Sequence, residues 1–225
     1  MADYLFDQQS AKRDLNNFFS DQKNETNDFG RTVNQTFEAH ILAKTIKWYK
    51  TNGWRVEIKN PIINKKEVFK LKFNTRGKPS NYSYIVCSKG QRKRQIRHGL
   101  RVQTRTNKRI NFSSANIVCD IAVMEDLDID YYSTDTALPN ENLIAFGEVK
   151  HMSAFAELIA GFIGMVHELK PEKLKRLRIK NWNRTDEISC FLYVSGILYT
   201  TAKGMVDTID KRKYDIDVYS IENEL

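Results

Sequence analysis

Hydrophobic positions along this 225-residue chain follow two rhythms. Over residues 29–51 (FGRTVNQTFEAHILAKTIKWYKT), Phe29, Val33, Phe37, Ile41 and Trp48 recur at helical spacing, and Asn52-Gly53 supplies a stop. Shorter pieces follow, each readable as a strand between polar turns: WRVEIKN closed by Pro61, then VFKLKF, YSYIVC and HGLRVQT. Two runs are apolar almost throughout, NIVCDIAVM at 116–124 and LIAFGEVK at 143–150, as expected of strands buried on both faces. Residues 153–169 (SAFAELIAGFIGMVHEL) predict a helix with a wide apolar face, capped by Ser153 and followed by Pro171. A third buried strand with its exit (188–201), a short helix (202–213) and a last strand (214–221) complete the chain.

This order predicts one α/β domain over residues 29–225, with a mixed central β-sheet flanked by helices and a basic insert at about 62–115. Residues 1–28, rich in Asn, Asp and Gln, predict an arm or short helix that could pack on a partner.

Composition narrows the class. With 41% apolar and 28% charged residues the chain is ordinary for a folded domain, not for a disordered one. No apolar run approaches the roughly 20 residues of a membrane span, and the N-terminus lacks a signal pattern, so a cytoplasmic protein with no membrane partner is expected. Cys87, Cys119 and Cys190 each lie in an apolar run, without CxxC or Cys/His pairing, which predicts buried reduced thiols and no zinc site. The net charge of +8 favours polyanionic partners.

Two acids break the apolar pattern. Asp120 lies inside IVCDIAV and Glu148 ends LIAFGEV. A carboxylate loses several kcal/mol on burial unless a cation compensates, roughly the cost of any unpaired buried ion. Lys150 stands two residues after Glu148, on the same strand face. A third acid, Glu38, falls about 100° from Phe37 on a helical wheel, between Ile41 at about 40° and Leu42 at about 140°, hence inside the apolar arc. Glu157 and Glu168 fall on the polar arc of their helix and are expected to be solvated. His40, His98, His151 and His167 have no mutual metal-ligand spacing, and His151 points away from Lys150. A buried salt bridge would account for any one of these acids; the combination favours a cation site.

These pieces resemble the PD-(D/E)XK nuclease superfamily: a helix carrying Glu38, the strand NIVCDIAV with Asp120, the strand LIAFGEVK whose Glu148-Val149-Lys150 matches the ExK element, then a helix and a strand. The resemblance spans residues 29–200 and implies a restriction-endonuclease-like αβββαβ core. Cys119 stands where the motif has proline, and the acidic loop Glu125, Asp126, Asp128, Asp130 and Asp135 has no place in the motif. The resemblance further implies a metal-dependent nuclease, with endonuclease favoured over exonuclease and DNA favoured as substrate. Asp120 and Glu148 would hold Mg²⁺ or Mn²⁺, Glu38 would be a supplementary ligand and the Val149 carbonyl a contributor. Lys150 would orient or help deprotonate water and stabilise developing charge. The alternative is a nucleic-acid-binding module of the same fold with weak or lost catalysis. Members of the fold often work as dimers, so a homodimer is among the implied partners.

The nucleic-acid surface is sought in a segment of one sign. From Val68 to Cys119 there is no acid and there are thirteen basic residues. Among them Arg92, Lys93, Arg94, Arg97, Arg101, Arg105, Lys108 and Arg109 are the expected phosphate contacts. In GLRVQTR the alternation predicts a strand with Leu100, Val102 and Thr104 inward and Arg101, Gln103 and Arg105 outward. A second basic run, 170–184, could extend the footprint, with Trp182 available to stack on a base.

Overall fold

The structure is a computed structural model, and it describes residues 6–20, 32–74, 76–105, 115–126, 128, 137–175 and 187–222. It is an α/β protein with a seven-stranded mixed sheet and, among the described residues, four α-helices. The helices are α1 (Gln8–Phe18), α2 (Val33–Thr51), α3 (Ala156–Leu169) and α4 (Thr200–Arg212). The strands are β1 (Arg55–Lys59), β2 (Ile62–Ile63), β3 (Lys66–Glu67), β4 (Tyr84–Lys89), β5 (Arg92–Gln103), β6 (Asn116–Glu125), β7 (Leu143–Lys150), β8 (Cys190–Val194) and β9 (Ile216–Tyr219). The main sheet has the order β1-β4-β5-β6-β7-β8-β9, antiparallel from β1 to β7 and parallel from β7 to β9, while β2 and β3 pair separately. The parallel pairs need crossovers, which α3 and α4 provide.

The predicted elements recur with shifted ends. Helix α2 starts at Val33, N-capped by Thr32 through the backbone N–H of Gln35; residues 21–31 lie outside the described part. It ends at Thr51 as expected, with Gly53 at a φ of 80°. Ser153 is not the cap of α3: the helix begins after Phe155, because Met152–Ala154 still run beside the exit of β8 and bond to it. The run VFKLKF is not a strand. It crosses beside the sheet and is tied to it by Lys72, whose buried ammonium donates to the carbonyls of Asn74 (2.6 Å) and Gly99 (2.8 Å). Strand β5 begins at Arg92, earlier than the piece HGLRVQT predicts.

The core forms on both faces of the sheet. Phe146 of β7 meets Phe162 of α3 with ring centroids 5.8 Å apart, and Tyr193 of β8 meets Phe37 of α2 at 5.9 Å. Alternation along strands therefore sorts residues into an α3 face and an α2 face. Within the N-terminal segment, the described residues 6–20 pack on the domain: Phe6 lies on Phe37 at 4.9 Å and Phe19 on Phe69 at 4.4 Å. All three cysteines are buried and unpaired, as their apolar settings predict. No helix among the described residues is long and apolar enough to cross a membrane.

Candidate active site

Strands β6 and β7 pair from Met124↔Leu143 to Ile121↔Gly147 and then part. Beyond the last pair, β6 stays with β5 and β7 stays with β8. Asp120 and Glu148 are the first residues past the parting point, one on each arm of the fork. Where a ladder bond would have continued, the Val149 N–H donates instead to Asp120 Oδ2 at 2.9 Å. A side-chain carboxylate thus satisfies a buried backbone donor, which fixes its position.

Lys150 bridges the two acids. Its Nζ lies 3.4 Å from Asp120 Oδ2 and donates to Glu148 Oε1 as well. The side chains of Asp120 and Glu148 are 19% and 12% exposed, whereas that of Lys150 is 38% exposed, so the fork opens to solvent past the lysine. The two acids and Lys150 share the α3 face.

The electrostatics follow from burial and crowding. Burial raises the Asp120 carboxyl, against the opposing pull of Lys150 and the Val149 N–H. Burial raises Glu148 to about 7, with the charge of Asp120 adding to it and Lys150 offsetting part. Burial lowers Lys150, but Asp120 and Glu148 together outweigh that and hold it above the ordinary lysine value. Folding therefore takes up protons at the acids. The stability contributed by Glu148 is complete below its unfolded value of about 4.5 and is lost as pH rises through its folded value of about 7. Asp120 acts in the same direction. In EDTA, Glu148→Gln is expected to lose less melting temperature than wild type between about pH 5 and about pH 8; thermal denaturation at both pH values checks this.

Glu38 is present but differently placed. Its Oε2 lies 3.2 Å from Nε2 of His98, on β5. The register His98↔Ile121 and Ile121↔Gly147 puts His98 on the α2 face, opposite the trio. The charge of Glu38 nonetheless adds to the upward shift of both Asp120 and Glu148. Among the described residues no group of three or more His, Cys, Asp or Glu side chains could hold a metal ion. The expected set Asp120, Glu148 and Glu38 is not drawn into one cage: Lys150 bridges the first two, and the third is engaged by His98.

The donors nonetheless fit Mg²⁺ or Mn²⁺. Such ions are commonly held by one or two carboxylates and keep several waters. Burial first and the charge of Asp120 second raise the Glu148 carboxyl to about 7, and a divalent ion between the two acids would offset both causes.

The basic residues divide. Arg101 and Arg105 alternate with buried Val102 and Thr104 as predicted, and Arg101 lies on the α3 face beside Asp120. Lys93 is exposed and Arg92 is half-buried, 5.3 Å from the Trp54 ring. Arg94 is held by Glu125 (2.7 Å) and Glu187 (2.8 Å). Arg97 is buried, stacked 3.8 Å from the Tyr84 ring and bonded to Gln95. These two serve the fold, because β5 is a central strand covered on both faces. Arg105 has an exposed pairing with Glu172 at 3.4 Å. Lys108, Arg109, Trp182, Asp130 and Asp135 lie outside the described residues. Glu157 and Glu168 are exposed, as expected.

Sequence reasoning set His98 aside with the other histidines. Its signal is three-dimensional: strand register carries it beside Glu38, sixty residues away. Comparison with protein-family models, with curated proteins and with solved structures finds no match.

Proposed function

We propose that this chain is a metal-dependent nuclease of the PD-(D/E)XK type, hydrolysing phosphodiester bonds, with DNA favoured as substrate and internal cleavage favoured over end-directed cleavage. The observation that carries the reading is the fork: two buried carboxylates on diverging strands share one lysine at a solvent opening. The order of α2, the antiparallel strands β5 to β7, α3 and β8 agrees with an αβββαβ core.

Asp120 and Glu148 would hold the divalent ion, with the Val149 carbonyl as a further donor. When bound, the ion neutralises phosphate charge and makes water more acidic. Lys150, kept protonated by its two acids, donates hydrogen bonds to a phosphate oxygen or to the attacking water and offsets negative charge as it develops. The Val149 N–H holds Asp120 in place during this. Glu38 adds negative potential from the other face. Arg101, on the face of the trio, guides the phosphate backbone inward.

A cleavage panel of linear, circular and branched DNA and of RNA, with Mg²⁺ and with Mn²⁺, tests the proposal. Metal-dependent cleavage of circular DNA that EDTA stops is the expected result. That no three-residue cage forms among the described residues favours a second reading, a nucleic-acid-binding module with weak or lost catalysis. Binding without cleavage in any metal would select that reading, and failure to bind any nucleic acid at low salt would sink both.

A further inference from the structure

Resting on the nuclease reading, we infer that His98 is a positioning residue of the site: it holds Glu38 against the back of the Asp120–Glu148 cluster and thereby sets metal affinity. The His98 side chain is only 1% exposed, so its two ring nitrogens must find partners inside the protein. Nδ1 lies 2.9 Å from the Lys72 carbonyl. A carbonyl can only accept, so Nδ1 is the donor. The Phe73 ring, with its centroid 4.8 Å away at 70°, closes one side of the imidazole.

That leaves Nε2. It is buried, makes no aligned hydrogen bond, and lies 3.2 Å from Glu38 Oε2 at ion-pair distance. With Nδ1 donating to a carbonyl, Nε2 can hold the Glu38 carboxylate only by carrying a hydrogen as well, so the pair is one of imidazolium with carboxylate. Glu38 sits on a regular helix turn and its side chain is 23% exposed, so without His98 it could turn to solvent. With His98 it stays where its charge reaches Asp120 and Glu148.

The imidazole is itself fixed by its surroundings. Gly99 has a φ of 62°, and a Cβ there would lie 2.3 Å from the Lys72 carbonyl oxygen, the atom that receives Nδ1–H. Lys72 Nζ returns to the Gly99 carbonyl at 2.8 Å. The β5·β6 ladder omits the step between His98↔Ile121 and Leu100↔Cys119, where Gly99 would face Asp120. The segment around Lys72 is thus clipped to β5 beside the catalytic aspartate, and His98 is part of the clip.

The test is titration of MnCl₂ into the full chain by calorimetry, with melting temperature and cleavage rate measured in parallel. His98→Ala is expected to weaken Mn²⁺ binding about tenfold, the lower range for lost supporting contacts around a metal. His98→Gln places an amide donor near the position of Nε2 and is expected to restore most of the affinity. In a Glu38→Ala background, His98→Gln and His98→Ala should change affinity no further, because His98 acts through Glu38. Independent losses in that background, or a folded His98→Ala with wild-type Mn²⁺ affinity, would overturn the inference while leaving the nuclease reading intact. A wild-type chain that takes up no Mn²⁺ would overturn both. Should His98→Ala fail to fold, the comparison of His98→Gln with and without Glu38 decides.

Discussion

Under the proposed nuclease activity, Lys150→Ala is expected to slow DNA cleavage about 10²–10³-fold, the usual loss when one preorganised charge-stabilising donor is removed. The ammonium lies between two acids and is the cationic group that the described structure places on both. Removing it exposes Asp120 and Glu148 to each other's charge, which drives the Glu148 carboxyl higher still. The variant should therefore fold, because a neutral Glu148 relieves the repulsion, and it should still bind DNA. Lys150→Arg keeps the charge but not the compact shape, and it should recover only part of the rate. The check is single-turnover cleavage at saturating metal, together with DNA binding in EDTA. A Lys150→Ala protein that cleaves within a few-fold of wild type would remove Lys150 from the mechanism.

Gly147→Ala should have the largest effect on folding. Gly147 pairs with Phe191 across the parallel strands β7 and β8. A Cβ on Gly147 would lie 2.3, 2.5 and 2.8 Å from three atoms of the Phe191 ring, and Phe191 is 1% exposed. The ring has no free space to move into, so either the ring or strand β7 must shift. Overpacking of this kind costs about 3 kcal/mol or more. The strain falls one residue before Glu148, so activity should fall along with stability. Chemical denaturation measures the first loss. Adding Phe191→Leu to Gly147→Ala should recover part of the stability, since it removes the ring atoms that clash; no recovery would place the cost elsewhere.

Apolar pattern alone located the two strands that carry the trio, and the i,i+2 spacing put Glu148 and Lys150 on one face. A carboxylate inside a buried run is visible in sequence because its desolvation cost has to be met by something. The helical wheel likewise placed Glu38 on the inward arc of α2, where the structure has it partly buried. The buried state of the cysteines and the exposure of Glu157 and Glu168 were legible for the same reason: local periodicity sets which way a side chain points.

Local periodicity does not say which strand lies beside which, or where two of them part. Only the tertiary structure decided that β6 and β7 separate after Ile121↔Gly147, which creates the opening at Asp120 and Glu148. The same holds for the basic residues. As charges in a row, Arg94 and Arg97 looked like phosphate contacts, but packing turned them to Glu187 and to Tyr84, and β5 became a central strand with little surface to offer. His98 shows the same limit from the other side, since its partners, Lys72 and Glu38, come from distant parts of the chain. Sequence by itself determined which residues are costly to bury; the fold decided which neighbours offset the cost, because strand order and register are long-range properties that no single segment encodes.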